Sequence, residues 1–206
     1  GEQMPFSDLL FIVGKIIKSI TLPLSVDIEF GYGNTATEIA TNIIALDKLG
    51  IVGINIEDSF IENGERKLKD SLQFSLLLRE VNSILKQKGI SLFINVRCDA
   101  FLLNIPNTLQ VATERVKNYE QSGADGIFLP FITKESDISA MVTETDLPLN
   151  VMCMPELPNF ERLEALGVKR ISMGNFLNGY AYSSLENRTS KILGEQFFKS
   201  LFESWN

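Results

Sequence analysis

The chain has 206 residues, 45% of them hydrophobic and 22% charged, a balance that suits one globular domain or a tight pair with a sizeable core. A net charge of −7 with no basic cluster argues against a nucleic-acid or anionic-membrane surface, and no uninterrupted apolar run is long enough to span a bilayer. The complete absence of histidine removes His-based triads, most zinc sites and the commonest general base.

Any chemistry must therefore run on carboxylates, Lys, Arg, Tyr, Ser, Cys or a hard metal. The two cysteines, Cys98 and Cys153, give no disulfide framework. With no signal-peptide pattern at the start, they lead us to expect a cytoplasmic protein.

In chain order, Phe6 to Ile20 reads as a helix that Ser7 can cap, with a broad apolar face, and Thr21-Leu22-Pro23 stops it. A strand follows over Leu24-Ser25-Val26-Asp27-Ile28-Glu29-Phe30, turning at Gly31-Tyr32-Gly33. Thr35 and Glu38 form a capping box that opens a helix through Leu49, stopped by Gly50. Ile51 to Glu57 is a second strand ending in Asn55-Ile56-Glu57-Asp58-Ser59. Phe60 to Lys69 reads as a polar loop before a helix over about Asp70 to Lys88. The third strand, Leu92 to Asp99, places Asn95, Arg97 and Asp99 on one face.

Further elements are a helix from about Leu109 to Gly123, a strand over Gly126 to Pro130, and a short helix over about Thr133 to Glu144. A strand over Pro148 to Cys153 comes next, then a helix capped by Asn159, then a strand over Arg170 to Met173. A helical tail runs from about Tyr180 to the end. Strand and helix alternate, and the strands are apolar on both faces except at their C-terminal ends. That pattern predicts parallel strands in an α/β fold, with an active-site rim at the strand ends of a (β/α)8 TIM-type barrel. An open doubly wound sheet is the alternative, but no G-x-G-x-x-G turn supports it.

Side chains alternate along a strand, so Asp27 and Glu29 point to the same side. Paired carboxylates at a strand end suit a hard divalent cation, since Mg²⁺ is usually held by one or two carboxylates plus waters and substrate oxygens. The alternative is a solvated acidic turn.

Taken together, V-D-I-E-F-G-Y-G, G-I-N-I-E-D-S, F-I-N-V-R-C-D-A-F, G-A-D-G-I-F-L-P, P-L-N-V-M and G-V-K-R-I-S-M-G resemble, in order and spacing, the isocitrate lyase / phosphoenolpyruvate mutase superfamily. The resemblance covers nearly the whole chain. It implies a (β/α)8 barrel, a bound Mg²⁺ and a small anionic 2-oxo or 2-hydroxy acid. It further implies a metal-stabilised enolate and the making or breaking of a C–C or P–C bond next to the carbonyl. By motif, Asp27, Glu29 and Glu57 match the family's metal-site carboxylates, and Arg97 the arginine that binds the substrate's anionic group. Glu57 and Arg97 are the catalytic candidates; Arg97, Gly31, Tyr32 and Asn150 are the substrate-binding candidates.

Against the family pattern, two strands and their substrate-binding loop are expected ahead of Phe6. Gly1-Glu2 looks like the inside of a longer run, and one barrel domain over 1–206 with the first two strands absent is the expectation. The region Ser59 to Lys69 has neither the Cys nor the His of the lyase branch's mobile loop, which points away from isocitrate and methylisocitrate lyase and toward the phosphoenolpyruvate mutase-like branch. Phe30 stands where the family usually has a small residue, so its ring either narrows the pocket or folds into the barrel wall.

Arg66, Lys67 and Lys69 form either a lid over an anionic substrate or a solvated loop. Asp58 and Asp99 either orient Arg97 or satisfy backbone donors, and Cys98 beside Arg97 is either activated or a small buried residue. Tyr32 either donates to substrate or packs under the turn. Asn150 lies on the rim or ties strands together. Phe197, Phe198, Leu201, Phe202 and Trp205 make an apolar stripe that either packs on its own barrel or covers an interface; the resemblance implies a dimer or tetramer through the C-terminal helix. A degenerate metabolite-binding barrel without turnover and an unrelated divalent-metal aldolase are the rival functions.

Overall fold

The computed structural model describes residues 4–202. They fall into two compact units divided at Ile171 and Ser172. The first holds a parallel sheet of strands β1 (Ser25–Asp27), β2 (Gly53–Glu57), β5 (Phe93–Arg97), β6 (Gly126–Leu129), β7 (Leu149–Met152) and β8 (Arg170–Ser172), neighbouring one another in that order. Strands β3 (Ser59–Glu62) and β4 (Glu65–Leu68) form a separate antiparallel hairpin. The helices are α1 (Phe6–Ile17), α2 (Ala36–Asp47), α3 (Ser71–Gln87), α4 (Thr108–Glu120), α5 (Glu135–Thr143) and α6 (Phe160–Leu166).

Each crossover returns the chain beside the preceding sheet strand, and the order never reverses. A doubly wound sheet requires a reversal, so the winding is that of a TIM-type barrel, as the alternation predicts. The sheet is curled into a half-barrel. Arg170 on β8 reaches Ser25 Oγ on β1 at 3.4 Å and Asn55 Oδ1 on β2 at 3.5 Å, so the two ends of the sheet face each other.

Sequence explains the shell. The Thr35 hydroxyl accepts from Glu38 N, and the Glu38 carboxylate accepts from Thr35 N, closing the capping box. Asp70 Oδ1 accepts from Gln73 N at 2.9 Å and starts α3. Phe74, Leu78, Val81 and Leu85 recur at helical spacing on α3 and are all buried. Truncating Leu78 to Ala would cost about 2–5 kcal/mol by the usual penalty for a core cavity. At α1 the expected Ser7 cap is replaced by Pro5, which makes no side-chain cap bond, and the helix ends at Ile17 rather than Ile20.

Inside the half-barrel a layer of amides joins the strands. Asn95 Nδ2 donates to Asn55 Oδ1 at 2.9 Å and to Asn150 Oδ1 at 3.1 Å. Gly126 on the intervening strand is paired with Asn95, and a Cβ there would come within 3.0 Å of Asn95 Oδ1 and 2.8 Å of the Phe93 ring. The missing side chain is what leaves that passage open.

The second unit contains α7 (Phe176–Glu195) and α8 (Lys199–Phe202). No residue of α7 is buried, and Phe197, Phe198, Leu201 and Phe202 are exposed. Trp205, like Gly1 and Glu2, lies outside the described residues. No helix among the described residues is long and apolar enough to cross a membrane.

Candidate active site

The charged residues gather where β2 and β5 end. The two strands run parallel with Glu57 paired to Arg97, so one register places opposite charges side by side. Alternation then sends Glu57, Ser59, Arg97 and Asp99 to the interior, and Asp58 and Cys98 toward the helical shell.

On the shell side, Asp58 is fully buried and fully engaged. Its carboxylate accepts from Arg115 Nη1 at 2.8 Å, from the Tyr119 hydroxyl at 2.6 Å and from Asp99 N at 2.9 Å. Burial raises the Asp58 pKa despite these donors. Asp58 is thus a strand-to-helix clamp, the structural alternative the sequence offers. The Cys98 thiol is also fully buried, and burial pushes its pKa up, so Arg97 does not activate it.

On the interior side, Arg97 Nε donates to Asp99 Oδ1 at 2.6 Å, and Arg97 Nη1 lies 3.0 Å from Glu57 Oε2. Asp99 therefore orients Arg97. Burial works against the charge on Arg97, but Asp99 and Glu57 more than offset it, with a smaller contribution from Asp27, and its pKa is raised. For Glu57 the balance goes the other way. Burial outweighs Arg97 and Arg66, Asp99 adds repulsion, and its pKa rises from 4.5 to about 7. The Arg97–Glu57 contact is an ion pair without hydrogen-bond alignment: Glu57 Oε2 is buried and accepts no hydrogen bond.

The hairpin adds a residue that sequence reading leaves undecided. Phe60 to Lys69 is not a polar loop: most of it belongs to the β3–β4 hairpin. Asn63 and Gly64, with φ of 53° and 81°, make a two-residue left-handed turn between β3 and β4. The Asn-Gly dipeptide is the signal that could have found it. Arg66 then points inward and its Nη1 contacts Glu57 Oε1, Ser59 Oγ at 2.6 Å and Asp99 Oδ2 at 3.3 Å. Ser59 donates to Asp99 Oδ2. Two guanidinium groups and two carboxylates make a charge-balanced floor, with Arg66 and Ser59 as members that motif reading did not place.

The acidic pair differs from expectation. β1 ends at Asp27, and Glu29 has φ of 52°, so strand alternation does not reach Glu29. Asp27 Oδ1 accepts from Glu29 N at 2.9 Å, and the Glu29 carbonyl accepts from Glu57 N at 2.8 Å. The turn is fixed by Gly31, whose φ is 104° and where a Cβ would meet the Ile39 side chain at 2.8 Å. Tyr32 packs its ring 5.4 Å from that of Phe6, the packing alternative. Asn150 is buried, accepts from Asn95 and donates to the Val151 carbonyl at 2.7 Å, so its amide ties strands together. Phe30 lines a cavity of about 700 Å³ with Phe60, Leu68, Lys69 and Phe74, and neither Glu57 nor Arg97 lines it. Lys69 Nζ sits 5.3 Å from the Phe30 ring centroid.

Among the described residues, no group of three or more acidic, histidine or cysteine side chains is arranged to hold a metal ion. The donors nevertheless suit a hard cation in kind. Asp27 and Glu57 end the adjacent strands β1 and β2, Glu29 follows in the turn after β1, and Glu57 keeps a buried oxygen that accepts no hydrogen bond.

The family described as phosphoenolpyruvate phosphomutase matches residues 1–193. The chain belongs to that family. Its fold and motifs place it in the wider phosphoenolpyruvate mutase / isocitrate lyase superfamily, as the motif resemblance implies. An uncharacterized protein of Mycobacterium tuberculosis (strain ATCC 25618 / H37Rv) is 32% identical over 152 residues, 74% of this chain and 54% of its own length. The oxaloacetate decarboxylase of Bradyrhizobium sp. (strain BTAi1) is 29% identical over 170 residues, 81% of this chain and 56% of its own. A provisionally assigned phosphonomutase structure from Burkholderia cenocepacia J2315 is 31% identical, with a TM-score of 0.85 over 92% of this chain and 77% of the other. The chain thus spans about half the length of the curated relatives it matches.

Proposed function

We propose that this chain forms part of a Mg²⁺-dependent enzyme that makes or breaks the C–C or P–C bond next to the carbonyl of a small anionic 2-oxo or 2-hydroxy acid. The observation that carries the reading is Arg97. It is held through Nε by Asp99 and flanked by Glu57, at the C-terminal end of a central parallel strand. Its Nη2 makes no hydrogen bond among the described residues, and its side chain is 18% exposed. A planar guanidinium so held is suited to gripping a carboxylate or phosphonate, and barrel active sites sit at this end of the strands.

Asp27, Glu29 and Glu57 would hold the cation, Glu57 through its buried carboxylate. When bound, the cation supplies a Lewis acid for the carbonyl oxygen. Everything else falls to the chain. Arg97 orients the acid, Asp99 and Ser59 fix Arg97 and the floor beneath it, and the β3–β4 hairpin limits the access of water. The names of the relatives, an oxaloacetate decarboxylase and a provisional phosphonomutase, suggest oxaloacetate and a phosphonate analogue of a 2-oxo acid as first substrates to try. We also propose a cytoplasmic homo-oligomer assembled through the C-terminal helices, whose exposed aromatic residues support it.

A coupled assay for pyruvate release from each acid, with Mg²⁺, tests the reading. We expect Mg²⁺-dependent turnover that Arg97→Lys lowers at least tenfold with a raised KM, because Lys cannot replace the two-pronged contact. A metabolite-binding barrel without turnover is the second reading, favoured by the way Arg66 already occupies Glu57. Pyruvate release from neither acid by a folded protein would make it the first choice.

A further inference from the structure

The hairpin has one inward charge. Lys67 pairs with Glu62 at 2.8 Å on the exposed face, and Glu65 is exposed as well. Arg66, between them, turns to the interior as strand alternation requires. Both ends of the hairpin are tied down: at one end Asp58 N donates to the Arg97 carbonyl at 3.0 Å, and at the other Lys69 N donates to the Asp58 carbonyl and the Lys69 carbonyl accepts from Arg115 Nη2, each at 2.8 Å. The hairpin is thus hinged at Ser59 and Lys69, with its Asn63-Gly64 tip outermost.

From that hinged strand, the Arg66 guanidinium reaches the Glu57 carboxylate, Ser59 Oγ and Asp99 Oδ2 together. These are the oxygens of the floor. Glu57 and Asp99 are 1% and 0% exposed, and Arg66 reaches them from the hairpin while Arg97 reaches them from β5. A divalent cation drawn to Glu57 would meet a guanidinium already seated on the same carboxylate, and the two positive charges repel at that range.

We infer that Arg66 and the divalent cation compete for Glu57, so that metal binding and release of the β3–β4 hairpin from the floor are one event. The inference rests on the assignment of Glu57 as a metal ligand. Arg66 is then a positioning residue. It occupies the buried carboxyl group while the site is empty, and it sets how tightly the metal must bind to open it. Because the displaced guanidinium stays on a hairpin whose ends are bonded in place, loss of metal closes the site again.

Titration of the chelator-treated protein with Mn²⁺, read by electron paramagnetic resonance of the free ion, tests this without turnover. Arg66→Met is expected to bind Mn²⁺ at least tenfold more tightly than the unaltered protein, Arg66→Lys to fall between, and Lys67→Met to be unchanged. Equal or weaker Mn²⁺ binding by Arg66→Met overturns the competition while leaving the metal site standing. No Mn²⁺ binding by any of the proteins overturns the metal assignment and the competition with it. Should Arg66→Met not fold, amide hydrogen exchange of the unaltered protein decides: Mn²⁺ must speed exchange within residues 59–68, and slower or unchanged exchange there overturns the inference.

Discussion

Glu57 offers a quantitative test of the site's electrostatics. Its carboxyl is buried, flanked by two arginines and repelled by Asp99, and the net effect is a pKa near 7 in place of 4.5. Moving a carboxyl by that amount corresponds to about 3 kcal/mol, at ~1.4 kcal/mol per pH unit. Below the unfolded value of 4.5 the group is protonated in both states, and its contribution to stability is fully present. As pH rises from 4.5 the unfolded chain loses the proton first, so that contribution is lost progressively and is gone above about 7. Glu57→Gln cannot titrate. The stability of the metal-free protein relative to Glu57→Gln should therefore fall by about 3 kcal/mol between pH 4.5 and pH 7 and then level off. Urea denaturation of both proteins in the presence of a chelator, at half-unit steps of pH, measures it. A difference that stays constant, or one that grows with pH, would refute the reasoning, because it would mean the arginines outweigh burial.

Three further outcomes follow from the surrounding geometry. Tyr119→Phe removes the hydroxyl that donates to Asp58 at 2.6 Å and accepts from Arg115 at 2.9 Å, and it should cost about 1–3 kcal/mol in urea unfolding. A change below about 0.5 kcal/mol would show that Arg115 alone satisfies Asp58. Gly31→Ala forces a Cβ into Ile39 at a left-handed position, and a loss of about 2–4 kcal/mol is expected from strain and overpacking together; near-neutral denaturation midpoints would contradict it. Mn²⁺ binding at pH 6 should release close to one proton from Glu57, which calorimetry in buffers of differing ionisation enthalpy reads directly. Release of no proton would separate Glu57 from the metal.

Much of the frame is legible from local pattern alone. The Thr35–Glu38 box, the Asn159 cap and the glycine stops are contacts within a few residues, and each is where the sequence puts it. Barrel winding follows from strand and helix alternation plus the lack of a dinucleotide turn, and the unbroken strand order confirms it. Arg97 and Glu57 are legible because alternation holds to the last residue of β2 and β5. Asp27 and Glu29 show where that rule stops: one residue with φ of 52° ends the period, and nothing in their neighbours announces it. The Ser59–Asp99 and Arg66–Asp99 contacts join residues 40 and 33 positions apart, a separation at which no local pattern speaks. The hairpin that delivers Arg66 was signalled, by Asn63-Gly64, but the charged residues around it read as a solvated loop because their alternation places two of three outward.

The central claim is that Glu57 and Arg97 belong to one site for a divalent cation and an enolate-like anion. A thermal-shift titration with oxalate, a planar dianion that resembles the enolate of pyruvate, tests it most directly when run with Mg²⁺ alone, oxalate alone and both. At about 100 times its dissociation constant a ligand specific for the folded state adds about 2.7 kcal/mol, which for a chain of this size raises Tm by roughly 5–10 °C. The account predicts a rise of that order only when both are present, and its loss in Arg97→Lys. Oxalate that stabilises the protein equally without Mg²⁺, or a folded protein that responds to neither, would contradict it.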